Sequence, residues 1–306
     1  MIKFLRDSFF ILLKSFLSRT KPLNTRNICA VFCVSGNSDD YLRKGTCVAI
    51  KSFRRTNPNI PICVIYFGLD DEQKTLFDGC ELIEGDISYF QRSALSKDNR
   101  PDIDESVFLR FNVDKLTVYD FAIYLDSDLV VLDDISDIFD YNAPILCRQM
   151  DNYPLSSQFL SGDDLLRKEG IPEGLKAINA GVIGIDLKYW RNSGTLSSVK
   201  DKIFKYGWDE FILNDQSLLN LVGYANGSFG FLPHTYNFML WPDVFESKKT
   251  YKMKINRFGL KVPNTGKGLA KVIHWNGPIK PWHKEFTSRS EAGKHELFGY
   301  CYDQFV

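Results

Sequence analysis

The sequence predicts an α/β protein, with one mixed, mostly parallel central sheet flanked by helices. Two observations carry that expectation. Apolar runs of strand length, NICAVFCVS at 27–35, ICVIYF at 62–67 and FAIYL at 121–125, are separated by segments long enough for a helix, which implies parallel strands covered on both faces. Past residue 140 the runs shorten and the pattern becomes α+β in texture.

The 306 residues open on a basic arm. Within residues 1–26, Lys3, Arg6, Lys14, Arg19, Lys21 and Arg26 stand against Asp7, a net +5 that leaves −5 for the rest, because 38 basic and 38 acidic residues balance overall. Ile2, Leu5, Phe9, Leu12, Leu13 and Phe16 recur at helical spacing, while Lys3, Asp7, Lys14 and Lys21 fall on another side. The longest uncharged stretch, 8–13, is far short of the ~20 apolar residues a spanning helix needs, and no small-residue cleavage site follows. Two readings stand for residues 1–21: a helix lying on an anionic membrane face, or one that packs on the domain or a partner. Residues 27–306 read as a single domain, with no repeat, low-complexity tract or Pro/Ser linker.

The first strand, 27–35, ends in the turn-forming cluster Gly36-Asn37-Ser38-Asp39-Asp40. A helix is expected over Tyr41 to Arg55, then Pro58 and Pro61, then the strand at 62–67. A helix from Asp70, a short strand near Glu81, a helix around Glu105 to Leu116 and the strand at 121–125 continue the alternation. Asp86 to Asp104 is the expected mobile loop. Short strands at Pro144 to Arg148 and Gly181 to Asp186, with helices around Leu187 to Lys205 and Glu210 to Val222, complete the chain. In parallel sheets ligands bind beyond the carboxyl ends of the strands, and both Gly36-Asn37 and Asp126-Ser127-Asp128 lie at such ends.

The even charge balance lacks the basic excess expected of a nucleic-acid binder. The seven cysteines lie mostly in apolar runs and never form C-x-x-C, so they read as free thiols in a reducing, cytoplasmic setting.

The chemistry begins at IYLDSDLVVL, 123–132. Carboxylates are costly to desolvate unpaired, so Asp126 and Asp128 in so apolar a run imply a positive partner. At i and i+2 of an extended segment they point to one side, which half builds a site for a divalent cation completed by substrate phosphate oxygens. The alternative is that one caps the turn and the other faces water. The same ten residues also resemble the nucleophile motif of haloacid-dehalogenase-type phosphatases, with Asp126 phosphorylated and SGDD at 161–164 as the later acidic motif. Residues 27–120 of α/β pattern precede it, however, and only Arg148 lies between Asp128 and Gly162 as a phosphate-stabilising cation.

Three later segments weigh against that reading. KAINAGVIGIDLKYWR (176–191) places a small-residue turn before a short strand, NDQSLLN (214–220) opens a helix with an acid–amide pair, and VIHWNGPIKPWHK (272–284) ends a strand on His274. With YLDSDLVVL, and in this order, they resemble glycosyltransferase family 8, the group that includes glycogenin and bacterial lipopolysaccharide galactosyl- and glucosyltransferases. The resemblance runs from about Asn27 to Lys284.

The resemblance implies a GT-A fold and a retaining, metal-dependent transfer of a hexose, glucose or galactose, from a UDP-sugar to a glycan or glycolipid hydroxyl. Lipopolysaccharide or another cell-surface glycan is the implied acceptor, reached at the inner face of the cytoplasmic membrane. It also implies roles. Asp126, Asp128 and His274 would hold Mn2+, with Mg2+ as a substitute, and Ser127 would lie against the donor. Gly277 and Lys280 would meet the diphosphate. Ser35, Asn37 and Tyr41 would contact uridine, Tyr41 by stacking on uracil. Arg110 would reach toward the donor, and Asn179, Asp215 and Gln216 would surround the transferred sugar, with Asp151 on a sugar hydroxyl. Asp215 can instead be only a helix N-cap. A nucleotide-sugar binder without turnover is the third reading.

Overall fold

The computed structural model describes residues 27–90, 105–240, 251–277, 280–283 and 299–306. The basic arm and most of the expected loop at 86–104 lie outside them. The strands β1 (Ile28–Ser35), β2 (Ile62–Phe67), β3 (Glu81–Glu84) and β4 (Phe121–Leu125) form a parallel set in which β1 lies between β2 and β4. After β5 (Leu129–Val131), the chain returns in β6 (Ile145–Pro154), β7 (Lys176–Asp186) and β8 (Phe229–Phe231), completing a seven-stranded sheet of order β3-β2-β1-β4-β7-β6-β8. Only β7 runs against its neighbours, so the sheet is mixed and largely parallel, as expected.

Successive side chains of β1 feed opposite faces, because a strand has a period of two. Cys29 and Val31 join a core with Ile65, Tyr124 and Ile183; Ala30, Phe32 and Val34 join another with Val64, Ile123 and Leu125. Helix α1 (Cys47–Thr56) covers the second face through Ala49, Ile50 and Phe53. The short α2 (Asp71–Thr75) starts with a capping box between Asp70 and Gln73, and Gln73 Nε2 donates to Gly36 O at 3.1 Å, tying that turn to the end of β1. On the first face lie α3 (Asp163–Lys168), α4 (Leu187–Asn192), α5 (Thr195–Tyr206) and α6 (Asp215–Ala225).

A second, three-stranded sheet brings β5 together with β9 (Phe238–Met239) and, beyond the hairpin of β10 (Lys252–Ile255) and β11 (Lys261–Asn264), with β12 (Val272–His274). The run at 123–132 is therefore two strands in two sheets, joined by Asp126-Ser127-Asp128.

Four expectations need correction. INAG is no turn before a strand: β7 already begins at Lys176, and Asn179 pairs with Arg148 inside a long β6–β7 ladder. The Tyr41 to Arg55 helix opens with a wide π turn, Tyr41–Thr46, before α1. The segment Glu105–Lys115 winds as tight 3-10 turns, since Phe108 to Val113 are all buried and no amphipathic period shapes it. The helix expected from Glu210 starts five residues later, at Asp215, after a short turn at Trp208–Glu210.

Glu169, just past α3, docks α5 onto it: its carboxylate accepts from Lys202 Nζ and Tyr206 OH, and from Lys205 Nζ at 3.0 Å. Burial alone would raise its pKa, but these three donors win and hold it at about 2, below the ordinary 4.5. The contribution is therefore present above pH 4.5 and lost as pH falls through 2. Glu169→Gln is expected to cost about 1–3 kcal/mol at pH 7. Urea melts should show the gap from wild type closing between pH 4.5 and 2; a gap independent of pH would contradict this.

Candidate active site

Asp126-Ser127-Asp128 occupies the step from β4 to β5. Because β12 pairs antiparallel with β5, His274 stands opposite Leu129, next to Asp128. His274 Nε2 lies 3.6 Å from Asp126 Oδ2 and 3.2 Å from Asp128 Oδ1, and one ligand atom from each of the three residues falls within 4.8 Å of the others.

The second polar atom of each ligand is already engaged. Asp126 Oδ1 accepts from Tyr124 OH at 2.6 Å and from Arg110 Nη2 at 3.0 Å. Asp128 Oδ2 accepts from Lys280 Nζ, and His274 Nδ1 faces Asn237 Oδ1 at 3.1 Å. Each residue thus offers one atom to a common point. Two carboxylate oxygens and an imidazole nitrogen fit Mn2+ better than Ca2+, which seldom takes nitrogen. Gly181 keeps the space open: a Cβ there would sit 2.2 Å from His274 Cε1 and 2.9 Å from Asp126 Oδ2.

The surrounding charges hold the cluster ready. Burial disfavours charge on Asp128, yet Lys280 and His274 outweigh it and keep the carboxyl well below its usual range. Burial likewise works against the Lys280 charge, and Asp128 reverses that, so its pKa stands above the ordinary value. The Lys280 ammonium also donates to Trp275 O at 2.8 Å and Gly277 O at 2.6 Å, so its three protons are all placed. Burial keeps the Tyr124 phenol protonated and hence a donor. Arg110 lies 4.4 Å from the centre of the Tyr124 ring, donates to Ala180 O at 2.7 Å and pairs with Asp215 Oδ2 at 2.8 Å. Asp215 is pushed by burial, against Arg110, up to about 6. It is the first residue of α6, not its cap; Asn214 holds the cap position at φ 50°.

Asn179 and Gln216 meet beside this cluster. Gln216 Oε1 accepts from Ala180 N at 3.2 Å and Asn179 Nδ2 at 3.3 Å, while Asn179 Oδ1 accepts from Gly181 N at 3.0 Å. Ser127 Oγ accepts from Thr46 Oγ1 at 2.8 Å, which fastens the aspartate step to the π turn. Tyr41, on the same turn, is 39% exposed and packs edge-on to Trp282 at 5.3 Å. Ser35 is buried at the end of β1, its Oγ accepting weakly from Asn37 N at 3.4 Å, and Asn37 is exposed. A Cβ at Gly277 meets no described atom within 4 Å, so its backbone is open to approach. Asp151 stands apart, 74% exposed and paired with Lys176 at 3.0 Å.

Sequence reasoning missed Tyr124, Gly181, Asn237 and Gln158 as parts of this site. Tyr124 had a signal: at i−2 from Asp126 on a strand it must share that carboxylate's side. Gly181 stood inside the quoted INAG. Asn237 and Gln158 lay in segments without a motif; Gln158 Oε1 accepts from Gln216 Nε2 at 3.3 Å.

The fold and site define a GT-A glycosyltransferase, and the chain belongs to Glycosyl transferase family 8, whose pattern it matches over residues 32–285. It is 29% identical over 198 residues to the probable glycosyl transferase Gly of Streptococcus gordonii, covering 64% of this chain and 24% of that protein. With the lipopolysaccharide 1,2-glucosyltransferase of Escherichia coli (strain K12) it shares 28% over 174 residues, 54% of this chain and 45% of that one. It therefore aligns with less than half the length of either relative. Among solved structures, the galactosyltransferase LgtC with donor and acceptor sugar analogues superposes with a TM-score of 0.63 at 19% identity, over 90% of this chain and 96% of that chain. The phosphatase reading falls with this assignment. Its supporting groups are also elsewhere: Arg148 donates to Asn237 O at 2.6 Å, and Asp164 of SGDD pairs with Arg167 on an exposed face.

Proposed function

We propose that residues 27–306 act as one catalytic unit that moves a hexose from a UDP-sugar to a hydroxyl of a glycan or glycolipid with retention of anomeric configuration. The observation that carries this reading is the convergence of Asp126 Oδ2, Asp128 Oδ1 and His274 Nε2 beside the amide pair Asn179–Gln216. When bound, a divalent cation, Mn2+ or Mg2+, supplies positive charge where the departing diphosphate becomes negative.

The chain's own groups do the rest. Lys280, Arg110 and the open backbone at Gly277 surround the diphosphate end with positive charge and a close approach. Ser35, Asn37 and the exposed ring of Tyr41 receive uridine, and Ser127 holds the aspartate step against the π turn. The bond between the anomeric carbon and the phosphate oxygen breaks with its electron pair leaving on UDP. The acceptor hydroxyl attacks from the same face, and its proton passes to the departing oxygen. Gln216 is an amide held by three hydrogen bonds, a poor nucleophile but a fixed dipole whose oxygen steadies the oxocarbenium-like carbon. Asp215 holds Arg110, while Asp151, on β6 and paired with Lys176, stands outside this cluster.

Incubation with Mn2+ and each of UDP-glucose, UDP-galactose and their N-acetyl forms tests the reading. UDP release with one hexose donor supports it; tight UDP binding with no turnover on any acceptor would leave a binder instead. No helix among the described residues is long and apolar enough to cross a membrane. The arm would bring the enzyme to lipid-borne acceptors, so deleting residues 2–21 is expected to lower sedimentation with anionic vesicles at least about tenfold, each basic residue contributing about 1 kcal/mol. Equal sedimentation of the two proteins would refute membrane docking.

A further inference from the structure

The protonation pattern of the cluster can be traced from one backbone amide. A backbone N–H can only donate, so the atom of Asn179 that lies 3.0 Å from Gly181 N must be its carbonyl oxygen. That oxygen also receives a side-chain atom of Asn237 at 2.7 Å, which must therefore be the amide nitrogen. The remaining oxygen of Asn237 then faces His274 Nδ1 at 3.1 Å and can only accept. His274 must carry a proton on Nδ1, which leaves Nε2 as its ligand atom for a cation held with Asp126 and Asp128. Asn179 extends the row on its other side, its Nδ2 donating to Gln216 Oε1 at 3.3 Å.

We propose that Asn237 is a positioning residue that accepts from Nδ1–H and so fixes the ring plane of His274 for the cation, and couples that ligand, through Asn179, to the amide of Gln216 beside the sugar. It is fully buried, and Arg148 Nη1 donates to its backbone oxygen at 2.6 Å, so the backbone carrying the amide is itself anchored. A ligating histidine needs a partner on its other nitrogen, and removing such partners typically weakens metal binding about 10–100-fold. Here the partner is an amide, which accepts from the imidazole on one end and donates to the sugar site on the other. One side chain therefore aligns both halves.

The inference rests on the transferase reading for its functional meaning, but its first test needs neither metal nor donor. In the metal-free full chain, 1H–15N correlation of the imidazole should show a hydrogen-bonded Nδ1–H on His274 that is protected from exchange with water, and in Asn237→Ala that protection should be lost. Mn2+ affinity by calorimetry should fall about 10–100-fold in Asn237→Ala. Asn237→Asp keeps an acceptor for Nδ1–H but loses the donor to Asn179, so it should bind Mn2+ within about threefold of wild type while kcat for UDP release falls more than tenfold. Should Asn237→Ala unfold, the Asp variant and the wild-type Nδ1–H signal still decide. An Nδ1 without a proton in the wild-type protein, unchanged Mn2+ affinity in Asn237→Ala, or equal loss of affinity in both variants would overturn the proposal. Absence of UDP release in the wild-type protein, with the Nδ1–H and the affinities as predicted, would instead count against the transferase reading.

Discussion

Asp128→Ala is expected to lose both turnover and stability, and the two losses separate. The carboxylate has two oxygens with two duties: Oδ1 faces His274 Nε2 at 3.2 Å, and Oδ2 pairs with Lys280. Removing the first takes away a cation ligand, with UDP release falling by at least about 10²–10³-fold. Removing the second leaves the Lys280 ammonium 7% exposed with only backbone carbonyls for company. Breaking a buried pair on one side typically costs about 3–5 kcal/mol. The double variant Asp128→Ala/Lys280→Met removes the stranded charge, so urea melts in EDTA should recover most of the loss while activity stays absent. A double variant no more stable than Asp128→Ala would mean that the Lys280 pair carries no such weight.

Gly181→Ala is the smallest change with a large expected effect. Glycine is required here for space, because the added methyl would meet the His274 ring at 2.2 Å and Asp126 Oδ2 at 2.9 Å. The backbone has little freedom to yield, since Gly181 O accepts from Asp126 N at 2.9 Å and Gly181 N donates to Asn179. His274 must swing away, at about 1–3 kcal/mol for overpacking. Displacing a ligand by about 1 Å costs roughly 10²-fold in rate, so the enzyme should fold, melt slightly lower and turn over at 1% or less of wild type. Near-wild-type kcat in Gly181→Ala would show that the cluster is looser than the geometry requires.

The parts of this site that the sequence revealed are those built by local rules. Strand period alone put Asp126 and Asp128 on one side, and the resemblance of VIHWNGPIKPWHK to a segment of glycosyltransferase family 8 pointed to His274 and Lys280. The parallel half of the sheet was legible for a similar reason: β1, β2 and β4 are runs apolar throughout. What stayed hidden depends on pairings far apart in sequence. That 123–132 splits between two sheets follows from β12 pairing with β5, across more than a hundred residues. INAG looked like a turn because Asn, Ala and Gly are small, whereas β6 holds it extended and the small residues leave room for His274. Asn237 carries no motif; it becomes meaningful only when β9 places the chain beside β12.

The central claim is that Asp126, Asp128 and His274 hold a cation that makes a UDP-sugar cleavable. Its most direct test is UDP release from the donor that the wild-type protein uses best, followed as Mn2+ is added back after EDTA. Wild type should show no release in EDTA and saturable recovery with Mn2+. Asp126→Asn should require far more Mn2+ and reach a plateau at least about 10²-fold lower. Full release in EDTA, or the same Mn2+ curve for Asp126→Asn as for wild type, would contradict the account.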